Sequence, residues 1–193
     1  TANGQNYTFD AVLYATGRKP NTANIGLENT DITTNERGAI VVNDTCESSV
    51  PGVYAVGDVN GGPQFTYISL DDFRIVFGAL TGNGQYTLKD RKNIPYTTFL
   101  TPPLARVGLT EEDAINKGYT VKTKEMLVAT MPRAHVNDYL KGAFKIVVNA
   151  ENNLILGATL YSQGAEELIN LIKIAMDNNI PYTYFKNQIF THP

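Results

Sequence analysis

The chain has 193 residues, 42% hydrophobic and 18% charged, with 16 basic against 19 acidic side chains and a formal net charge of −3. That length suits one core and part of a second, and the apolar content is high enough to exclude a disordered chain. The small net charge, without long single-sign runs, leaves no footprint for nucleic acid; no apolar run reaches membrane-span length; and a lone cysteine provides neither an internal disulfide nor a local metal cluster.

In chain order, the sequence opens on Thr1-Ala2-Asn3-Gly4 without an initiator Met and stops at Thr191-His192-Pro193, directly after the apolar Ile189-Phe190. Both ends are expected to be cut edges of a larger protein. Residues 7–15 are rich in β-formers and run into Gly17 and Pro20, which predicts a strand and then a turn. A short strand is expected over 39–42, and Cys46, in a polar stretch, reads as an incidental side chain at a strand end in a reducing cytoplasm. Residues 52–56 read as a buried strand that ends at Gly57-Asp58. Beyond the loop at 60–63, Tyr67, Leu70, Phe73, Phe77 and Leu80 recur at helical spacing, and Gly82-Asn83-Gly84 stops the helix.

From Arg91 the character changes to β-rich segments punctuated by turns, which marks a new domain. Strands are expected over 95–100, 104–109, 121–129, 143–149 and 154–161, the last two as an antiparallel hairpin through Glu151-Asn152-Asn153. One helix opens at Thr110, capped together with Asp113, and stops at Gly118. A second spans about 165–178, with Leu168, Ile169, Leu171, Ile172, Ala175 and Met176 spread over so wide an arc that one sheet does not cover it. Another subunit would cover the rest; a deeply buried helix is the alternative. The fold class is α+β, a mixed or antiparallel sheet covered by helices behind part of an α/β domain.

The strand, Gly-Asp, glycine loop and helix at 53–80 form the most informative local unit. A carboxylate at a strand end accepts hydrogen bonds from sugar-like hydroxyls, and the next helix start offers free amides to an anionic group. Alternatively, Asp58 only shapes the turn. Gly17 is a second glycine turn that permits close backbone approach to a ligand. No Gly-x-Gly-x-x-Gly lies between a strand and a helix, so no complete dinucleotide site is encoded. Of the two histidines, His135 reads as a solvated surface side chain. His192, between an apolar segment and a proline, is the better candidate for an acid–base group.

Segments 15–21, 52–59 and 99–111, in this order, resemble the class I pyridine nucleotide-disulfide oxidoreductases, and Thr191-His192-Pro193 is similar to the start of that family's His-Pro motif. Residues 132–133, 136–138, 157–158 and 187–193 look closest to the subgroup near mercuric reductase. The resemblance covers essentially the whole chain and is specific as a combination. It implies that Asp58 binds the ribityl chain of FAD, and that Gln64, Phe65 and Thr66 form the helix start near the flavin pyrimidine ring. It makes Gly17, followed by Arg18, the hand-over from the nicotinamide domain, and His192 the base that acts across a homodimer on the partner's redox-active thiols.

The resemblance further implies residues 1–17 as the end of the NAD(P)-binding domain, 18–90 as the later part of the FAD-binding domain and 91–193 as the dimerisation domain. The family's glycine fingerprint, cysteine pair and histidine-orienting glutamate do not occur in this sequence. Electron transfer from NAD(P)H through FAD to a disulfide is therefore expected of a parent protein, and not of this piece. A stand-alone dimerisation or interaction module is the rival reading. No metal site, nucleic-acid partner or membrane association is expected.

Overall fold

The computed structural model, which describes residues 3–191, separates the chain between Asp90 and Arg91 into two units. In the second unit, five strands pair only with antiparallel neighbours: β1 (Tyr96–Thr98), β2 (Leu104–Gly108), β3 (Val121–Leu127), β4 (Ala143–Asn149) and β5 (Ile155–Tyr161). Their order is β1-β2-β5-β4-β3. All five expected strands form, and the expected α+β class with them. β3 stops two residues early because Val128–Thr130 tightens into a 3-10 turn.

Alternation along the strands decides what the sheet buries. Ala105 and Val107 of β2 and Ala158 and Leu160 of β5 point to one face, where α4 (Ala165–Asp177) lies with Ala165 and Ile169 against them. Phe144, Ile172 and Met176 complete this core. Small side chains at 105, 158 and 165 let the helix approach closely, and fully burying one Ile of this kind contributes roughly 1.5–3 kcal/mol. Gly157 has a stricter requirement, since a Cβ there would collide with the Leu109 backbone.

On the opposite face a row runs across the sheet through Tyr96, Arg106, Thr159, Lys145 and Glu125, each facing the next in register. Lys145 pairs with Glu111 at 2.7 Å, at the start of α2 (Glu111–Asn116). That helix carries the expected capping box: Thr110 Oγ1 accepts from the Asp113 N–H at 3.0 Å, and the Asp113 carboxylate accepts from the Thr110 N–H at 3.2 Å. Two one-turn helices, α3 (Pro132–Val136) and α5 (Tyr182–Lys186), complete the unit.

The first unit is built around α1 (Thr66–Thr81), which ends at Gly82 (φ +71°), where a stop is expected. Here several expectations are corrected. Residues 7–15 form no strand, because among the described residues no neighbouring strand pairs with them and their side chains are exposed. The segments at 39–42 and 52–56 are reduced to single bridges, Thr34 to Ile40 and Glu47 to Tyr54. In the second segment Ala55 is buried while Val53 and Val56 are exposed. The helical stripe from Tyr67 to Leu80 is also exposed, and α1 instead buries Ile68, Asp72 and Ile75. Periodicity defines a face but not what covers it. Cys46 is fully buried with φ +63°, tied by its carbonyl to the Ala55 N–H at 3.0 Å.

Candidate functional site

Asp58 lies in a 3-10 turn, Gly57–Asn60, that follows the Ala55-Val56 backbone directly. Its side chain is exposed and makes no hydrogen bond among the described residues, while its backbone carbonyl accepts from the Gly61 N–H at 3.2 Å. A turn-shaping aspartate would spend its carboxylate on local amides. This one leaves that work to its carbonyl and keeps the carboxylate available.

The turn packs against α1, and two features fix it there. Gly57 has φ +74° and stands so close to Ser69 that a Cβ would meet Ser69 Oγ at 2.5 Å, so glycine is needed both for conformation and for space. Asp72, fully buried one turn further along α1, accepts from the Gly57 N–H at 2.7 Å and from Asn60 Nδ2 at 2.9 Å. Asn60 Nδ2 also donates to the Ala55 carbonyl at 3.2 Å, and its Oδ1 accepts from the Gly62 N–H at 3.0 Å. One buried carboxylate therefore pins both ends of the turn to the helix.

Gln64, Phe65 and Thr66 fall at the start of α1, with Phe65 as its N-cap residue and no side chain capping the helix. The Phe65 ring stacks on Tyr67 with centroids 5.1 Å apart, and partial desolvation of the otherwise exposed Tyr67 raises its phenol above its ordinary value. The Phe65 N–H donates to the Pro63 carbonyl at 3.1 Å, so of these three residues Gln64 and Thr66 keep amides for a ligand. The first unit brings together Asp58, Gln64, Phe65 and Thr66 on a turn and the helix that follows it.

Gly17 and Arg18 lie in exposed chain without secondary structure; Gly17 has φ +102° and open space where a Cβ would point. His192 lies outside the described residues. His135 is exposed on α3, yet its Nε2 lies 2.8 Å from the Ala129 carbonyl, so it is anchored rather than merely solvated. Among the described residues no His, Cys, Asp and Glu cluster could hold a metal, and no helix is long and apolar enough to cross a membrane. Asp72 and Asn60 were not legible as part of the site. Their signal is the spacing Ile68, Asp72, Ile75, which sets a carboxylate in line with buried isoleucines.

On α4 the wide apolar arc divides in two. Ile169 and Ala175 are buried, with Ile172 and Met176 packed beside them, whereas Leu168, Leu171 and Ile174 are 40%, 50% and 54% exposed. These three recur every third residue and form a stripe on the side away from the sheet.

Comparison with known proteins places this geometry. Residues 94–193 match the family model of the pyridine nucleotide-disulphide oxidoreductase dimerisation domain, and residues 1–72 match that of pyridine nucleotide-disulphide oxidoreductase. The chain is 47% identical over 184 residues to the probable pyridine nucleotide-disulfide oxidoreductase RclA of Escherichia coli, covering 95% of this chain and 42% of that protein. It is 39% identical to a mercuric reductase of Staphylococcus aureus, over 90% of this chain and 32% of the relative. The solved structure of the HOCl-induced flavoprotein disulfide reductase RclA from Escherichia coli superposes with a TM-score of 0.89 at 46% identity, covering 93% of this chain and 41% of that one. The chain therefore spans about two fifths or less of the length of these relatives.

Proposed function

The chain belongs to the pyridine nucleotide-disulphide oxidoreductase family, and from that premise we propose that it is the C-terminal part of an FAD-dependent NAD(P)H oxidoreductase. The complete enzyme passes electrons from NAD(P)H through FAD to a redox-active disulfide and then to a substrate. Residues 1–17 close the NAD(P)-binding domain, 18–90 supply the later part of the FAD-binding domain, and 91–193 form the dimerisation domain of a cytoplasmic homodimer.

The carrying observation is the unspent Asp58 carboxylate on a turn braced against α1. Its donor chemistry fits a flavin. The carboxylate accepts from ribityl hydroxyls, and the uncapped start of α1, around Phe65, offers the Gln64 and Thr66 amides to the electron-rich pyrimidine edge. FAD, when bound, supplies the hydride-accepting ring. This chain's residues bind and orient it: Gly17 lets the backbone cross near the cofactor, Arg18 follows it, and Asp58 holds the sugar-like chain. His192 would exchange a proton with a thiol of the partner subunit. The stripe of Leu168, Leu171 and Ile174 is proposed as part of the surface that pairs the subunits.

The test is anaerobic titration of the full-length protein with NADH and NADPH. Bleaching of a bound flavin, with a cysteine pair upstream in the reading frame, is the expected result. A full-length protein without flavin or cysteine pair would favour a stand-alone dimerisation module.

A further inference from the structure

Asp72 has no place in the function proposed above, and its setting is unusual: a carboxylate with no exposed surface, in line with Ile68 and Ile75 on the buried side of α1. Taking a carboxylate out of water is costly unless good donors surround it. Here two donors come from the Gly57–Asn60 turn. One oxygen, Oδ2, accepts from the Gly57 N–H at 2.7 Å and from Asn60 Nδ2 at 2.9 Å. Asn60 passes the restraint on, to the Ala55 carbonyl at 3.2 Å and the Gly62 N–H at 3.0 Å. Asp58 lies between the two residues that Asp72 grips and itself makes no side-chain hydrogen bond among the described residues. Nothing else in the network touches that carboxylate, so its direction is set by the backbone on either side of it.

We propose that Asp72 is a positioning residue for the flavin site: by clamping Gly57 and Asn60 to α1, it holds the turn in the one conformation that aims Asp58 at the ribityl chain. The inference rests on the reading of Asp58 as a flavin contact. Asp72 does not touch the cofactor. It acts by preorganisation, because a turn already held in its binding geometry loses less freedom when the ligand arrives. A residue that served only to stabilise the fold would weaken cofactor binding independently of Asp58. A residue that acts through Asp58 has nothing left to do once that carboxylate is gone.

The experiment is a double-mutant cycle in the full-length holoenzyme. FAD dissociation constants are measured by reconstituting the apoprotein, alongside the flavin absorption spectrum and thermal unfolding of the apoprotein. Asp58→Ala and Asp72→Ala are each expected to raise the dissociation constant by about tenfold, and the double variant should bind within about twofold of Asp58→Ala alone. Asp72→Asn keeps an acceptor oxygen and should recover most of the affinity. The flavin band of Asp72→Ala should shift in the same direction as that of Asp58→Ala, which a loss of fold stability alone would not produce.

Should Asp72→Ala fail to fold, Asn60→Ala runs the same cycle by removing the amide between Asp72 and the turn. If Asp58→Ala binds FAD normally, the flavin assignment of Asp58 fails and this inference is overturned with it. If Asp58→Ala weakens binding but Asp72→Ala does not, or the two losses multiply, Asp58 keeps its role and the positioning role of Asp72 is overturned.

Discussion

Leu171 and Ile172 are neighbours in sequence but face different surroundings on α4: Ile172 packs onto the core formed by β2 and β5, while Leu171 is half exposed. A charge at either position therefore has a different consequence. Leu171→Glu places a carboxylate in the exposed stripe with Leu168 and Ile174, and surface changes of this kind alter monomer stability by no more than about 0.5 kcal/mol. Ile172→Glu presses an unpaired carboxylate against the core at a partly buried position and should cost about 3 kcal/mol.

If residues 91–193 form the proposed two-fold dimer, light scattering at micromolar concentration gives dimer for the wild type and folded monomer for Leu171→Glu. Ile172→Glu should instead lose fold and dimer together. A stable isologous interface covers about 1,200–2,000 Å² in total, so the stripe would be the centre of a larger contact. A wild-type monomer, or a Leu171→Glu dimer of unchanged affinity, would reject this face.

The isolated 193-residue chain is expected not to retain FAD. In the proposed reading Asp58 and the start of α1 address only the ring and ribityl side, and no Gly-x-Gly-x-x-Gly is present for the pyrophosphate. Purified material should be colourless after gel filtration. Stoichiometric flavin absorbance there would show that the cofactor site is not divided in this way.

In the full-length enzyme, Asp58→Asn should bind FAD more tightly than Asp58→Ala and less tightly than wild type. Charge-assisted hydrogen bonds contribute about 1.5–3 kcal/mol, and a neutral amide oxygen recovers only part of that. Equal flavin occupancy in all three proteins would return Asp58 to a turn-forming role.

The second unit was largely legible because its signals are local. Alternation along 143–149 and 155–161, the turn between them and the Thr110/Asp113 box each state their structure within a few residues. The first unit was less so. Residues 7–15 carry strand composition, but a strand exists only beside a partner, and composition does not supply one. On α1 the eye follows the aromatic stripe and passes over Ile68, Asp72 and Ile75, because a charged residue ordinarily marks the wet side of a helix. Asp58 was legible as a candidate; the brace that holds it comes from Asp72, 15 and 12 positions from the Gly57 and Asn60 that it grips.

The last prediction concerns acid. Asp177 ends α4, where it pairs with Lys173 one turn earlier and accepts from Asn93 Nδ2 at 2.8 Å, so it ties the start of the second unit to its main helix. Burial works to raise this carboxyl, but the hydrogen bonds from Lys173 and Asn93, with the nearby charges of Lys173 and Lys92, outweigh it and hold the group below its usual range. A carboxyl depressed in the folded state contributes stability that is complete above its unfolded value, about pH 4, and is lost as pH falls through the lower folded value. Asp177→Asn should therefore be less stable than wild type at pH 7, on the order of 0.5–1 kcal/mol for a partly exposed cluster. The two proteins should converge as the pH falls through the lowered folded value. Urea midpoints for both at neutral and acid pH decide it. A gap that stays constant across that range would show that Asp177 acts through shape or hydrogen bonding alone and not through its charge.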